Sequence, residues 1–278
     1  MGIIEMIETS SAIPPRDSLP VVLTIAGSDS GGGAGIQADL LTFAARGVFG
    51  TTAQTCLTAQ NPQTISAIKA LGARFVLEQI HRVTTYFNVQ VIKTGMLFNR
   101  SIIKTVARFL EKNPQIKSVV DPVMVSSSGT TLFQPNAIEV LKKALLPRAT
   151  IITPNLDEAA LLLKWRPDDR ASMLTAACEL TQTYNVATLL KGGHLAHDKL
   201  IDVLIESPGA EPKIMSAQRV APVNTHGSGC TLSAAIAAEL ARGHTLSTAV
   251  TQAHAYLQKT LHHPLRLRGE SFINHGVG

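Results

Sequence analysis

The stretch NTHGSGCTLSAAIAAEL, Asn224 to Leu240, sets a thiol, Cys230, directly after Gly227, Ser228 and Gly229, where an alanine-rich helix must begin. A helix N-terminus carries unpaired backbone N–H groups and about half a positive charge, and flexible glycines let those amides converge on an anion. The same end charge favours a thiolate, which accepts a hydroxyl proton. Two readings of Cys230 therefore stand side by side: a base, or a residue that orients a ligand or packs.

Other chemistry-bearing residues recur where apolar runs stop. AGSDSGGGAGIQAD is a glycine-dense turn that lets backbone approach a ligand closely. It is no G-x-x-x-x-G-K-[ST] loop, and that pattern is absent from the whole chain. Gly33 to Ala38 does fit G-x-G-x-x-A, but the acid that a dinucleotide fold needs about 20 residues on is missing from TTAQTCLTAQ. Asp39 lies near the apolar stripe of the following helix, either as a ligand-facing carboxylate or as an acid complementing the helix dipole. Gln60, in CLTAQNPQ, offers a donor and an acceptor side by side, suited to a ring nitrogen next to an exocyclic amine; the alternative is a turn residue. Met96, in VIKTGML, is either a thioether against a flat ring or core. Asp121, in VVDPVMV, and Asn155 with Glu158, in TPNLDEA, supply oxygen ligands that suit Mg2+, although the latter two also read as an N-cap and its capping-box partner. Lys191, before Gly192 and Gly193, either reaches a phosphate as a mobile charge or extends to solvent.

The elements that must position these residues alternate. VVLTIAG reads as a buried strand, GIQADLLTFAARG as a helix stopped by Gly47, and GTTAQTCLTAQ as a strand. Helices then fall at RFVLEQIHRVTTYF, SIIKTVARFLEKN and NAIEVLKKALL, with strands at VQVIKTG, IKSVVDPVMV and ATIITPN. After helices at LDEAALLLK and RASMLTAACELTQTY comes the strand VATLLKGG. The runs KLIDVLIE and KIMSAQRV follow as an antiparallel hairpin through SPGAEP, and two helices close the chain. Such alternation predicts an α/β fold with a mostly parallel central sheet and helices on both faces, and ligands outside the carboxyl ends of its strands.

The 278 residues can bury a sizeable core, and 45% hydrophobic against 16% charged residues fits a compact domain. Residues 1–19 read as a flexible extension and 20–278 as a single domain. The leader has no continuous apolar core, so neither a signal peptide nor a membrane anchor is expected. A net charge of +5 without an aromatic-interleaved basic stripe points to a small phosphorylated ligand rather than nucleic acid. Three cysteines with no C-x-x-C pair fit a reducing cytoplasm.

Taken in order, IAGSDSGGGAGIQADL, LTAQN, VDPVMV, ITPNLDEA, LLKGGH and NTHGSGCTLSAAIAA resemble the hydroxymethylpyrimidine/phosphomethylpyrimidine kinases of thiamine biosynthesis, within the ribokinase-like superfamily. The resemblance runs from about Val21 to the closing NHGVG. It implies ATP and Mg2+ as cofactors and two successive phosphoryl transfers onto one small-molecule pyrimidine, in a protein that is homodimeric like many of its superfamily. It puts Cys230 where many ribokinase-like enzymes carry an aspartate base, with the Gly227–Cys230 amides on the transferring phosphate. It also implies that Gln60 binds the aminopyrimidine, that Gly27, Ala34, Asp39, Met96 and Val123 line its pocket, that Asn155, Glu158 and Asp121 organise Mg2+ and phosphate, and that Lys191 lies by the nucleotide. Thr58 departs from the pattern, since apolar residues occur there in relatives. Pyridoxal or pyridoxine kinase is the alternative enzyme, and a catalytically silent precursor-binding protein is the alternative outside enzymes.

Overall fold

The structure is a computed structural model, and it describes residues 19–124, 136–193, 199–220 and 223–277. The expected amino-terminal extension falls almost wholly outside the described residues.

The first strand, β1 (Val21–Ser28), is β-branched and buried along its length, and α1 (Gly35–Ala45) returns the chain to β2 (Phe49–Gln60). Gly47, at φ 70°, supplies the left-handed residue that ends the helical turn. The chain then turns through Asn61, whose side-chain oxygen accepts from the backbone N–H of Gln63 and Thr64, into β3 (Ile65–Ala70), antiparallel to β2. This strand is absent from the sequence reading. It is a mostly exposed edge, so its residues carry no clean apolar alternation. Helix α2 (Ala73–Tyr86) crosses back to β4 (Val89–Thr94), which pairs with β1 on the side away from β2. Connections leaving β1 and β4 thus diverge, and the crevice between them is a topological switch point, where open α/β sheets bind ligands.

Helix α3 (Arg100–Lys112) is capped by Asn99, whose side chain accepts from Ser101 N and Ile102 N, and leads to β5 (Lys117–Val120). The expected strand through Val125 ends at Val120, because Pro122 has no N–H to continue the ladder. The predicted helix over 136–146 is only one α turn, α4 (Ala137–Val140), before widening to π geometry at Leu141–Leu145 and tightening at Leu146–Arg148. Strand β6 (Ile151–Ile152) is cut short before Pro154. Helices α5 (Leu156–Leu163) and α6 (Arg170–Tyr184), strand β7 (Ala187–Lys191) and the antiparallel pair β8 (Lys199–Ile205) and β9 (Lys213–Gln218) follow as expected. After α7 (Ser228–Ala241) and α8 (Leu246–His262) comes a short hairpin of β10 (Leu265–Leu267) and β11 (Glu270–Phe272), which the sequence reading did not include. Arg268 and Gly269 make its turn, both at positive φ, as a two-residue hairpin turn requires.

Among the described residues the sheet has nine strands in the order β3-β2-β1-β4-β5-β6-β7-β8-β9, with β1, β2 and β4 to β7 mutually parallel and antiparallel edges at both sides. Alternate residues face opposite cores. Ile92, Val120, Ile152 and Leu190 pack against α2, α3, α5 and α6, while Val91, Val119, Ile151 and Leu189 pack against α1, α7 and α8. The resulting layers are the mostly parallel sheet with helices on both faces that the alternation predicted. Helix α7 is buried on every side from Thr231 to Leu240, and its alanines are what let α1, α8 and the sheet close around it. The turn at its N-terminus is thereby anchored by a rigid rod.

Candidate active site

The carboxyl ends of the parallel strands open onto one cavity of about 560 Å³. A larger hollow of about 1020 Å³ lies by the amino ends of β4 and β5 and contains none of the predicted site residues. The cavity at the strand ends is lined by Gly27, Ala34, Gln60, Met96, Asp121, Val123, Asn155, Glu158, Lys191 and the turn from Gly227 to Cys230. Residues 203 positions apart in sequence, Gly27 and Cys230, thus share one wall system through the β1 and α7 termini.

At the end of β1, Gly27 carries no side chain because a Cβ there would meet Cys56 Sγ at 2.8 Å and Met96 Cε at 2.9 Å. The turn that follows folds around Asp29. Its carboxylate accepts from Gly31 N at 2.8 Å and Ala34 N at 2.9 Å, and meets His226 Nε2 at 3.1 Å. Burial alone would raise the Asp29 pKa, but His226 and the turn amides outweigh it and hold the carboxyl below its ordinary value. Gln60, closing β2, brings its side-chain amide within 3.1 Å of the same His226 nitrogen. Thr58 also lines the cavity, and its hydroxyl donates to Ser28 O at 2.9 Å.

Gly227 sits at φ 85°, and a Cβ there would lie 1.8 Å from Gly33 O, so the α7 turn and the β1 turn touch backbone to backbone. This contact is what joins the proposed anion site to the ligand cavity. Gly229 faces the other way, its α-carbon close enough that a Cβ would lie 3.2 Å from Lys191 Nζ and 3.7 Å from Asp121 Oδ2.

Lys191 donates to Asp121 Oδ1 at 2.9 Å, and Asp121 also accepts from Thr153 Oγ1 at 3.2 Å and Ser233 Oγ at 3.3 Å. Asn155 and Glu158 form a complete capping box: Asn155 Oδ1 accepts from Glu158 N and Glu158 Oε2 accepts from Asn155 N, both at 2.9 Å. The capping reading of these two is therefore borne out, and the capped pair also lines the cavity. Burial pushes Glu158 up to about 7; Lys191 opposes that shift and Asp121 adds to it. Val123 is held at φ 40°, a left-handed conformation that a β-branched residue adopts only under constraint from its surroundings.

Two expectations need correction. Asp39 does not face the cavity. It is fully buried beneath it, with both carboxylate oxygens 2.9 Å from Lys93 Nζ and Oδ2 accepting from Thr24 Oγ1 at 2.6 Å. Burial disfavours the Lys93 charge, but the Asp39 carboxylate outweighs it and Lys93 stays above its ordinary value. Second, the helix terminus does not make Cys230 acidic. Burial pushes its thiol up to about 11, with Lys93 opposing the shift and Asp39 and Asp121 adding to it.

Sequence reasoning missed Lys93, Asp29 and His226. A lysine inside the otherwise apolar VQVIKTG signals a buried partner, and His226 stands within the quoted turn motif; Asp29 is hidden among glycines. The cavity also holds Asp202, which accepts from Gly192 N at 2.9 Å, and His254 beside it.

A sheet of this topology, with a glycine-bounded turn at a helix N-terminus, a lysine on a carboxylate and a cavity of this size at the switch point, is that of a small-molecule kinase of the ribokinase-like fold. Residues 29–274 match the phosphomethylpyrimidine kinase family model. A hydroxymethylpyrimidine/phosphomethylpyrimidine kinase of Rhizobium meliloti is 43% identical over 242 residues, covering 87% of this chain and 90% of its own. The ADP complex of Bacillus subtilis pyridoxal kinase superposes with a TM-score of 0.85 at 34% identity, covering 93% of this chain and 98% of that one. A phosphomethylpyrimidine kinase from Clostridium difficile superposes at 0.76 with 37% identity, covering 86% and 98% respectively. The chain belongs to the phosphomethylpyrimidine kinase family.

Proposed function

We propose that this protein transfers the terminal phosphoryl group of ATP to the hydroxymethyl oxygen of 4-amino-5-hydroxymethyl-2-methylpyrimidine, and then a second phosphoryl group to the monophosphate, as a step in thiamine biosynthesis. The observation that carries this reading is that Gln60 and the Gly227–Cys230 amides open onto the same cavity, so a ring and a transferring phosphoryl group meet there. Family membership and the named relatives support the same chemistry.

Phosphoryl transfer passes through a loose transition state, in which positioning and charge neutralisation matter more than a strong base. The Gly227, Ser228, Gly229 and Cys230 amides hold the transferring group, Lys191 neutralises phosphate charge, and Gln60 grips the ring edge. Gly27, Ala34, Met96 and Val123 shape the ring's walls. Cys230, protonated at neutral pH, orients the alcohol rather than acting as a resident thiolate. Asp121, Glu158 and Asn155 offer only oxygen donors, and no cluster of three His, Cys, Asp or Glu suited to a metal occurs among the described residues. That donor set fits a Mg2+ ion held by one or two carboxylates, water and substrate phosphates rather than by a protein cage. When bound, Mg2+ neutralises charge shared between the phosphates.

No helix is long and apolar enough to cross a membrane among the described residues. We place the protein in the cytoplasm, where its three free thiols stay reduced, as a homodimer of single-domain subunits. Exposed Phe49, Leu57, Phe75 and Tyr86 around β2 and α2 support an apolar contact between copies. The deciding experiment measures ADP release with the pyrimidine alcohol, its monophosphate and pyridoxal in parallel. Turnover of the first two at kcat/KM well above pyridoxal is expected. Pyridoxal as the preferred acceptor would establish the second reading, which the superposition on Bacillus subtilis pyridoxal kinase favours. Gln60→Ala should raise the pyrimidine KM and leave the ATP KM near its original value.

A further inference from the structure

One imidazole nitrogen serves two neighbours. His226 Nε2 lies 3.1 Å from Asp29 Oδ2 and 3.1 Å from the Gln60 side-chain amide. Asp29, only 4% exposed and bound by two turn amides, is an ionised carboxylate and accepts only. His226 Nε2 must therefore carry a hydrogen. With its lone pair gone, that nitrogen cannot accept from an NH2 group, so the Gln60 atom beside it has to be an acceptor. A glutamine amide fills the same space either way round, and its hydrogen bonds decide which. The atom placed there is Gln60 Nε2, and this pairing assigns the amide the other way round, with its carbonyl oxygen on His226 and that oxygen's second lone pair and the NH2 hydrogens left for the ligand.

The orientation matters because a glutamine is ambivalent. One way round, NH2 donates to a bare ring nitrogen while the oxygen accepts from an exocyclic amine. Flipped, the oxygen accepts from a ring N–H while NH2 donates to an exocyclic carbonyl. We propose that Asp29 and His226 form a specificity-determining pair that fixes the sense of the Gln60 amide, so that the cavity takes a 4-aminopyrimidine edge and rejects its 4-oxo counterpart. This rests on the pyrimidine reading above and names how that site chooses its substrate. His226 and Asp29 are positioning residues, since they act through Gln60. Their own placement is firm: His226 N donates to Asn224 Oδ1 at 3.0 Å, Asp29 N donates to Gln37 Oε1 at 2.9 Å, and Gly33 leaves room for the imidazole, which a Cβ would crowd at 3.0 Å.

The test compares kcat and KM for 4-amino-5-hydroxymethyl-2-methylpyrimidine and its 4-oxo analogue in the native enzyme, Asp29→Asn, His226→Gln and Gly33→Ala. A site built on a fixed hydrogen-bond pattern discriminates by about a hundredfold or more in kcat/KM, because the wrong ligand leaves buried polar groups unpaired. All three variants should narrow that ratio to about tenfold or less, chiefly through a higher KM for the amino substrate with kcat changing less. Gly33→Ala removes no polar group and keeps the test valid if Asp29→Asn does not fold. Independently of turnover, nitrogen-15 NMR of the native protein should show hydrogen on His226 Nε2. A neutral ring with Nε2 bare overturns the proposal, as does a ratio unchanged in His226→Gln and Gly33→Ala. A native enzyme inactive on the amino alcohol would instead refute the kinase reading, with the tautomer still measurable.

Discussion

Replacing Gly227 with alanine tests the contact that joins the anion turn to the cavity. The added methyl would lie 1.8 Å from Gly33 O and 3.3 Å from Ala34 Cα, at a backbone φ of 85°. Carbon and carbonyl oxygen pack no closer than about 3.3 Å, so the two turns must part by about 1.5 Å. The left-handed backbone adds about 1–2 kcal/mol for a residue with a Cβ, and forced displacement of packed backbone about 1–3 kcal/mol more. A stability loss of about 2–5 kcal/mol follows. Moving converged amides by an ångström or more from the reacting phosphoryl group should lower kcat by about a hundredfold. The reference is Gly47→Ala, also at positive φ (70°) but with no atom within 4 Å of the new Cβ. It should lose only about 1–2 kcal/mol and keep its turnover. Urea midpoints give the stabilities and initial rates of ADP release give the activity. If Gly227→Ala lost no more stability than Gly47→Ala and turned over normally, the backbone contact would not hold the site together.

Gly229→Ala brings a methyl to 3.2 Å from Lys191 Nζ and should push that ammonium off Asp121, raising the ATP KM several-fold while the urea midpoint moves little. Removing one partner of the buried Lys93–Asp39 pair, as in Asp39→Ala, leaves an uncompensated ammonium and should cost about 3–5 kcal/mol, read as a lowered midpoint in denaturant. A loss near zero would mean that Lys93 had given up its charge. With Cys230 near 11 rather than 9, the folded chain keeps a proton over that interval which the unfolded chain has shed, so this thiol's contribution lowers stability as pH rises from about 9 to 11. At pH 8 its alkylation by iodoacetamide should run about a hundredfold slower than that of an unperturbed thiol, as peptide mapping can show. Fast labelling there would restore the thiolate base. Cys230→Ala should depress kcat with pyrimidine binding retained, and near-normal turnover would reduce the thiol to packing.

The parallel strands were legible because burial on both faces demands continuous β-branched runs, as in VVLTIAG. Edges were not. Strand β3 is exposed along most of its length, and the β10–β11 hairpin exposes Leu265 and Leu267, so neither shows the apolar pattern that marks a strand. Gln60, Lys191 and the Gly227–Cys230 turn could be found because they stand where apolar runs break off, and strand ends are where this architecture gathers chemistry. Asp39 was misplaced for a physical reason: its partner, Lys93, is 54 positions away and on a neighbouring element, beyond the reach of any local pattern.

The order of apolar runs, glycines and prolines was enough to determine the layered sheet, the end of it that carries the site, and the family's motifs, since each depends on residue type and spacing along one stretch of chain. Which charges meet was decided only in three dimensions. Lys93 cancels Asp39 under the floor, Asp29 meets His226 across 197 positions, and the surroundings of Cys230 raise its thiol, chiefly through burial, despite its helix terminus. Solvation and pairing belong to the packed volume, and no linear spacing encodes them.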